Sequence, residues 1–444
     1  MKEETELARI MKSGVLRAVV DYNSTNYFIY RGVPMGFKYE ILQHLASDMR
    51  LSLELSVNND VQQTFDDLLA LKYDLIARNL IVTKGKHTLV DYTEPLEQTR
   101  QVLVQRKPYN WRLMMPDVVE DSLIRNQIDL GGKQVYVPKG SAYYRRMLNL
   151  SEEIGEDIEL MEDSLYGCEQ LVSMVARGEI DYTVCDEHTA RVNTIYYPDL
   201  DVETPVSFPQ KVAWAVRHDA PEWLNYLNSW IINFRNSPDY RTLYRKYFES
   251  PRSGLRFNSD YYSYTGGKLS PWDELIREEA TTAGLDWRLV AAVISQESGF
   301  DPEAESWIGA YGLMQVMPES ADMFQIFDYK SPRGNVRTGV SLLKWLDDQF
   351  KTEVPDPDER IRFVLAAYNV GLGHVQDAQR LAEKYDRIPI VWTDNVDFFL
   401  LNKSSAKYYQ DQVVHFGYCR GEETYTFVNR VMNIYQHYCN VIEQ

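Results

Sequence analysis

The sequence lacks any apolar run approaching the ~20 residues that a membrane-spanning helix needs. Its opening stretch, M-K-E-E-T-E-L-A-R-I-M-K-S-G-V-L-R, also lacks the apolar core of a signal peptide. It reads as a mature form cut just before the first strand. For a protein working outside the cytoplasm, the export signal is then absent from this sequence, and any membrane anchor with it. Cysteine is scarce, with four residues: Cys168, Cys185, Cys419 and Cys439. Their spacings fit no zinc motif and no histidine cluster accompanies them, so no metal site is predicted. The even count permits disulfides, with Cys419–Cys439 the expected pair; free buried thiols are the alternative. Positive charge is short as well, with 47 Lys and Arg against 65 Asp and Glu and a formal net charge of −18. Such a surface repels phosphate backbones, and no basic stripe with interleaved aromatics relieves it. Nucleic acid is therefore excluded as a partner, and the acidity is read as solubility.

What is present is an ordinary globular balance, 44% hydrophobic and 25% charged over 444 residues, enough for two or three compact units. From about residue 16 to 248 the pattern alternates strand and helix. Residues 15–20 form a short apolar run. Ile41, Leu42, Leu45, Ala46 and Met49 follow at helical spacing, then an alternating strand at 51–57, a helix at 65–71 and a strand at 74–77. Strands near 134–137, 181–185 and 211–216 and helices near 142, 171–176, 221–235 and 240–247 continue the theme. This argues an α/β architecture. Residues 250–270, rich in Ser, Gly and Tyr, mark a boundary. Beyond it the pattern is all-helical: a helix opening on Ser270-Pro271 as N-cap and N1 and closing before Gly284, then helices near 287–296, 336–350, 360–367 and 375–385.

The block M-G-F-K-Y-E-I-L at 35–42 and the stretch Y-D-L-I-A at 73–77 resemble family 3 bacterial solute-binding proteins. So do D-Y-T-E-P at 91–95, L-G-G-K-Q-V at 130–135, K-G-S at 139–141 and R-G-E-I-D at 177–181 through Asp186. The resemblance covers roughly residues 12–250. It implies two α/β lobes, the first from about 12–104 and 206–250 and the second from about 105–205. The chain should cross between them near 102–104 and 206–213, with a ligand held in the cleft. Where that family places a carboxylate-binding Arg, this chain has Lys86, which keeps a point charge and loses the bidentate fork. Ile81 replaces a frequent hydroxyl. Asp186 matches the residue that holds a ligand amine, and Ser141 stands at a helix N-terminus, where backbone N–H groups favour an anion. The resemblance thus implies an amino-acid ligand in this half.

Three motifs follow in order: S-Q-E-S-G-F-D-P at 295–302, G-A-Y-G-L-M-Q-V-M-P at 309–318 and A-A-Y-N-V-G at 366–371. Leu289, Val290, Val293 and Ile294 form an apolar helix face that ends at Glu297. Burial and the negative helix end both disfavour an ionised carboxylate there, so its pKa should rise and leave it a neutral acid near pH 7. Asp301, Glu303 and Glu305 are the nearby acids. Together the motifs resemble family 1 lytic transglycosylases, the lysozyme-like SLT domain, and a solute-binding module placed before it resembles one branch of that family. The resemblance implies an all-α lysozyme-like unit at 270–444, after a linker at 251–269, acting on peptidoglycan glycan strands in the periplasm, with an outer-membrane anchor in its relatives' manner. It implies cleavage without water or cofactor, in which Glu297 gives a proton to the leaving oxygen and then takes one from the muramic acid C6 hydroxyl. It places Ser306 near the acid, Met314 and Gln315 along the sugar subsites, and Tyr368 and Asn369 across the cleft. A degenerate cell-wall sensor and a goose-type lysozyme-like hydrolase are the alternatives.

Overall fold

The computed structural model describes residues 5–81, 89–164, 167–250, 259–263 and 267–442. The chain divides into two compact units, one from residues 1–30 and 35–266, the other from 267–444 with 31–34 grouped with it.

The first unit holds two sheets. In the first, the spatial order is Ser52–Val57, Val15–Val20, Leu75–Ile81, Gln210–Arg217, Val90–Tyr92, with Glu97–Thr99 also pairing on Gln210–Arg217. Val15–Val20 runs parallel to its two neighbours, while Gln210–Arg217 is antiparallel to all of its own. A parallel centre must be covered on both faces, which explains why Leu16, Ala18, Val19 and Val20 are all buried. The helix Phe37–Met49 supplies one cover, turning Phe37, Ile41, Leu42, Leu45 and Met49 inward at i, i+4 spacing.

The second sheet has the order Glu159–Asp163, Gln134–Pro138, Tyr182–Asp186, Gln101–Arg106, Leu200–Pro205. One apolar cluster gathers Val102, Leu171, Val172 and Cys185; another gathers Leu103, Val135, Val137 and Met147. Successive strand residues alternate between the two clusters, as the period-two pleat requires. The chain leaves the first sheet at Thr99 and enters the second at Gln101, so the crossing falls at Arg100 rather than at 102–104. Arg100 holds it with a bidentate pair to Glu187 at 2.8 and 3.0 Å. The return crossing lies between Pro205 and Gln210. Residues 259–263, expected in the linker, belong to the first unit. Tyr262 is buried and bridges Tyr30, and the Ser263 hydroxyl accepts from Ile29 N at 2.8 Å.

The second unit is helical. Its first helix begins at Asp273, not at Pro271. The Asp273 carboxylate accepts from the backbone N–H groups of Leu269 and Ser270, while the Ser270 hydroxyl accepts from Trp272 N at 3.1 Å as expected of a capping serine. The next helix, Trp287–Glu297, is capped by Asp286 and buries seven residues from Trp287 to Ile294 on all sides. It packs on the last helix, Gly421–Val441. Pro332–Phe350, Pro357–Val370 and Leu372–Lys384 complete the frame, each longer than or offset from its sequence reading by a few residues. The expected Cys419–Cys439 pair is not joined: Cys419 feels Lys403 and Asp377, whereas Cys439 lies by Arg288 and Tyr435. Among the described residues no helix is long and apolar enough to cross a membrane.

Candidate active site

Glu297 is the last residue of a helix whose body is locked in the core. Beyond it the Ser298 hydroxyl donates to Leu313 O at 2.8 Å, tying the helix end to the second motif. Gly299 and Phe300, both at positive φ, then reverse the chain. Burial alone raises the Glu297 pKa from 4.5 to about 7; no neighbouring charge contributes. A second carboxylate at ~5–9 Å would push it up further. Asp301, Glu303 and Glu305 are instead exposed to solvent.

The wall facing the acid is a folded loop, 304–316, held by main-chain bonds between Glu305, Tyr311 and Val316. Its keystone was missed by sequence reasoning. Asn335, fully buried on the helix Pro332–Phe350, accepts from Met314 N at 2.8 Å and donates to Tyr311 O at 2.7 Å and Tyr329 O at 3.0 Å. Gly312 has φ +77°, and a Cβ there would stand 2.5 Å from the Asn335 amide, so only glycine lets the loop close on this side chain. The available signal was a lone amide on an otherwise apolar helix face.

The expected site residues take different places. Tyr368 donates its hydroxyl to Met314 O at 2.7 Å, and its pKa is held well above the ordinary value by burial and then by the Glu297 charge, so it neighbours the acid. Gln315, at φ +45°, donates both amide hydrogens to the loop, to Ala304 O at 2.9 Å and Gly312 O at 3.0 Å. Its side-chain oxygen is left as an acceptor, since carbonyl partners fix which end is the NH₂. Ser306 accepts from Ala310 N at 3.0 Å, which shapes a tight turn and leaves no described bond to Glu297. Asn369, exposed, accepts from the Thr424 hydroxyl at 2.7 Å. Met314 is a correction. Its side chain is wholly buried against Gly339 and has no surface for a sugar; the backbone carbonyl is what it brings to the site.

In the first unit, Asp186 ends the strand Tyr182–Asp186 and lines a small cavity, about 10 Å³, together with Thr25, Asn79, Glu97, Thr99 and His188. That is about the room for one water. Burial lifts the Asp186 pKa to about 6, against a hydrogen bond from Tyr143. Glu97, buried too, is drawn down to about 2: burial raises it, but the enclosed Lys38 ammonium and then His188 outweigh that. One oxygen each of Asn79 and Asp186 is buried with no hydrogen-bond partner, while Glu97 Oε2 has His188 Nδ1 at 3.4 Å. Both unpartnered oxygens are acceptors. Ser141 lies elsewhere, capping the helix Ala142–Ile154 by accepting from Tyr144 N at 3.3 Å. Lys86 falls outside the described residues. Among those residues no group of three or more His, Cys, Asp or Glu is arranged to hold a metal.

A two-lobed α/β unit followed by a helical unit whose half-buried Glu297 ends a core helix is the arrangement of a solute-binding module joined to a lytic transglycosylase. Residues 16–250 match the model of bacterial extracellular solute-binding proteins, family 3, and residues 274–391 match the transglycosylase SLT domain. The chain is 30% identical to membrane-bound lytic murein transglycosylase F of Desulfosudis oleivorans, over 97% of its own length and 91% of the relative's. The Pseudomonas fluorescens protein of the same name is 28% identical, over 98% and 87%. Among solved structures, an arginine-binding protein from T. maritima is similar at 22% identity and a TM-score of 0.46, covering 55% of this chain and all of that one. The chain belongs to the membrane-bound lytic murein transglycosylase F family. Its second unit is that of a peptidoglycan lytic transglycosylase, a lyase.

Proposed function

We propose that the second unit cleaves the MurNAc–GlcNAc β-1,4 bond without water and leaves 1,6-anhydromuramic acid ends. The carrying observation is the solitary Glu297 with its pKa near 7. A group half-protonated at working pH can give a proton to the leaving oxygen and, once ionised, take one from the C6 hydroxyl, which then closes on C1. Among the described residues no second carboxylate contributes to its shift, which supports a route without a hydrolytic water. Tyr368 and the Met314 carbonyl steady the opposite wall, the free oxygen of Gln315 accepts from a sugar hydroxyl, and the free NH₂ of Asn369 donates to one. The location that fits this substrate is periplasmic, and the relatives' name, membrane-bound, agrees with an anchor to a membrane facing it. Mass spectrometry of digested sacculi tests the reading: muropeptides one water lighter than lysozyme products are expected, while reducing ends alone would make the enzyme a hydrolase.

The first unit is proposed to hold an amino-acid or muropeptide ligand through its amine. The unpartnered oxygens of Asn79 and Asp186 beside one small cavity support a hydrogen-bond donor there, such as an amine that enters between open lobes. Closure on such a ligand modulates cleavage only through differential affinity for closed lobes. Calorimetry with stem peptides and free amino acids, on wild type and Asp186→Ala, with sacculus turnover alongside, tests this. Bound ligand that leaves turnover unchanged makes the unit a spacer.

A further inference from the structure

Two cysteines meet in the second lobe. Cys168 opens the helix Cys168–Arg177, and Cys185 is the penultimate residue of the strand Tyr182–Asp186. Their sulfurs stand 3.1 Å apart, across 17 residues of sequence. Cys185 is fully buried in the cluster with Leu171 and Val172, while Cys168 is half-buried on its edge, with the Tyr143 hydroxyl 3.9 Å from its sulfur. Helix and strand are packed against each other. Backbone placement therefore already brings the two sulfurs together, which is the main hurdle to a disulfide.

The next residue of the helix gives this place a purpose. Glu169 is buried, and its carboxylate accepts from Ser24 N at 3.0 Å and from the Ser24 hydroxyl. Ser24 follows the first strand of the other lobe. The first turn of the Cys168–Arg177 helix thus carries a latch between lobes. That turn has no side-chain cap of its own, Gly167 being the N-cap. Asp186, one residue past Cys185, lines the cavity between the same lobes.

We propose that Cys168 and Cys185 form a disulfide in the exported protein, and that this bond fastens the helix turn from which Glu169 latches the lobes together. The oxidant is an external protein or small-molecule disulfide. The Cys168 thiolate attacks it, one thiol leaves, and a mixed disulfide forms on Cys168. Cys185 then loses its proton and displaces the second thiol. Two protons and two electrons pass from the pair to the external disulfide, which ends as two thiols. Cys168 reacts first because it alone of the two is reachable. Cys185 takes the resolving step because the fold holds its sulfur 3.1 Å from that of Cys168; burial, which pushes its thiol well above the ordinary range, slows that step rather than helping it. The reduced protein keeps both thiols and has a looser latch. Cys419 and Cys439 stay free in either form.

The full chain, exported to an oxidising compartment, is denatured and alkylated before and after reduction, and its mass is measured. Two alkylated thiols before reduction and four after are expected, with a linked peptide pair containing Cys168 and Cys185. Four before reduction, or a link through another cysteine, overturns the proposal. Hydrogen exchange on the wild type with and without reductant tests the latch and needs no substitution. The amides of Ser24 and of residues 169–172 should exchange about tenfold faster when reduced. Equal rates would remove the latch from the proposal's reach. The paired variant Cys168→Ser with Cys185→Ser should show the fast rates in both conditions; slow rates there count against the disulfide as their cause.

Discussion

Replacing Glu297 by Gln should stabilise the catalytic unit while abolishing its activity, and only the stabilisation should depend on pH. The move of this carboxyl from 4.5 to about 7 corresponds to roughly 3 kcal/mol of preference for the neutral form in the folded state. Below pH 4.5 the group is protonated folded and unfolded, so it makes no difference. Between 4.5 and 7 the folded state binds the extra proton, and stability falls as pH rises. Above about 7 the loss is complete, because the ionised group is buried without a hydrogen bond or a charge partner. Gln keeps the shape and never ionises. The variant should therefore match wild type near pH 4.5 and exceed it by as much as about 3 kcal/mol at pH 8, an upper bound because the cleft face stays partly wet. Urea unfolding followed by a probe in the second unit, at both pH values, measures this. Loss of the titrating acid should meanwhile lower sacculus turnover by at least ~10²–10⁴-fold. A stability gain that is absent at pH 8, or equal at both pH values, would falsify the assignment of burial as the cause of the shift.

The rate of muropeptide release by wild type should fall about tenfold per pH unit above 7, as the protonated acid is titrated away; a flat profile from pH 6 to 9 speaks against Glu297 as the proton donor. Asn335→Ala removes one buried and two partly buried hydrogen bonds from main-chain groups and should destabilise the second unit by about 2–4 kcal/mol, with turnover falling further than stability explains; thermal unfolding and kinetics read both. Gly339→Val drives a side chain into the Met314 sulfur and should cost about 1–3 kcal/mol while shifting the Met314 carbonyl from Tyr368. Lowered kcat with unchanged expression is the sign to look for.

Much of this was readable in the sequence because it rests on local patterns. The apolar face that ends in Glu297 needs only helical periodicity, and the strand-helix alternation of the first half needs only runs of four to eight residues. What escaped depends on contacts distant in the chain. Asn335 lies 21 residues from Met314, and a lone amide on an apolar helix face does not say which distant loop it holds. Lys38 and Glu97 are 59 residues apart and read as solvated charges until the fold encloses both. Met314 was placed on the cleft because its motif neighbours are; the gap left by Gly339 takes it inward instead. Ser270 carries the signature of a cap and does accept from Trp272 N, but the two bonds that Asp273 adds from Leu269 and Ser270 N–H could not be read from it.

The loop opposite Glu297 has its frame and its tip under separate control. Ser306, Gly312, Gln315 and Asn335 fix the frame through backbone groups, so its shape owes little to the side chains at the tip. There Trp307 and Ile308 stand out, 96% and 57% exposed. A wall built this way is evolvable: residues 307 and 308 can be exchanged for almost any others without moving the acid or the groups it works with. Variation among relatives should therefore concentrate at these two positions while the frame stays constant, and a saturation library at the pair should yield folded enzymes that differ in which glycan strands they accept.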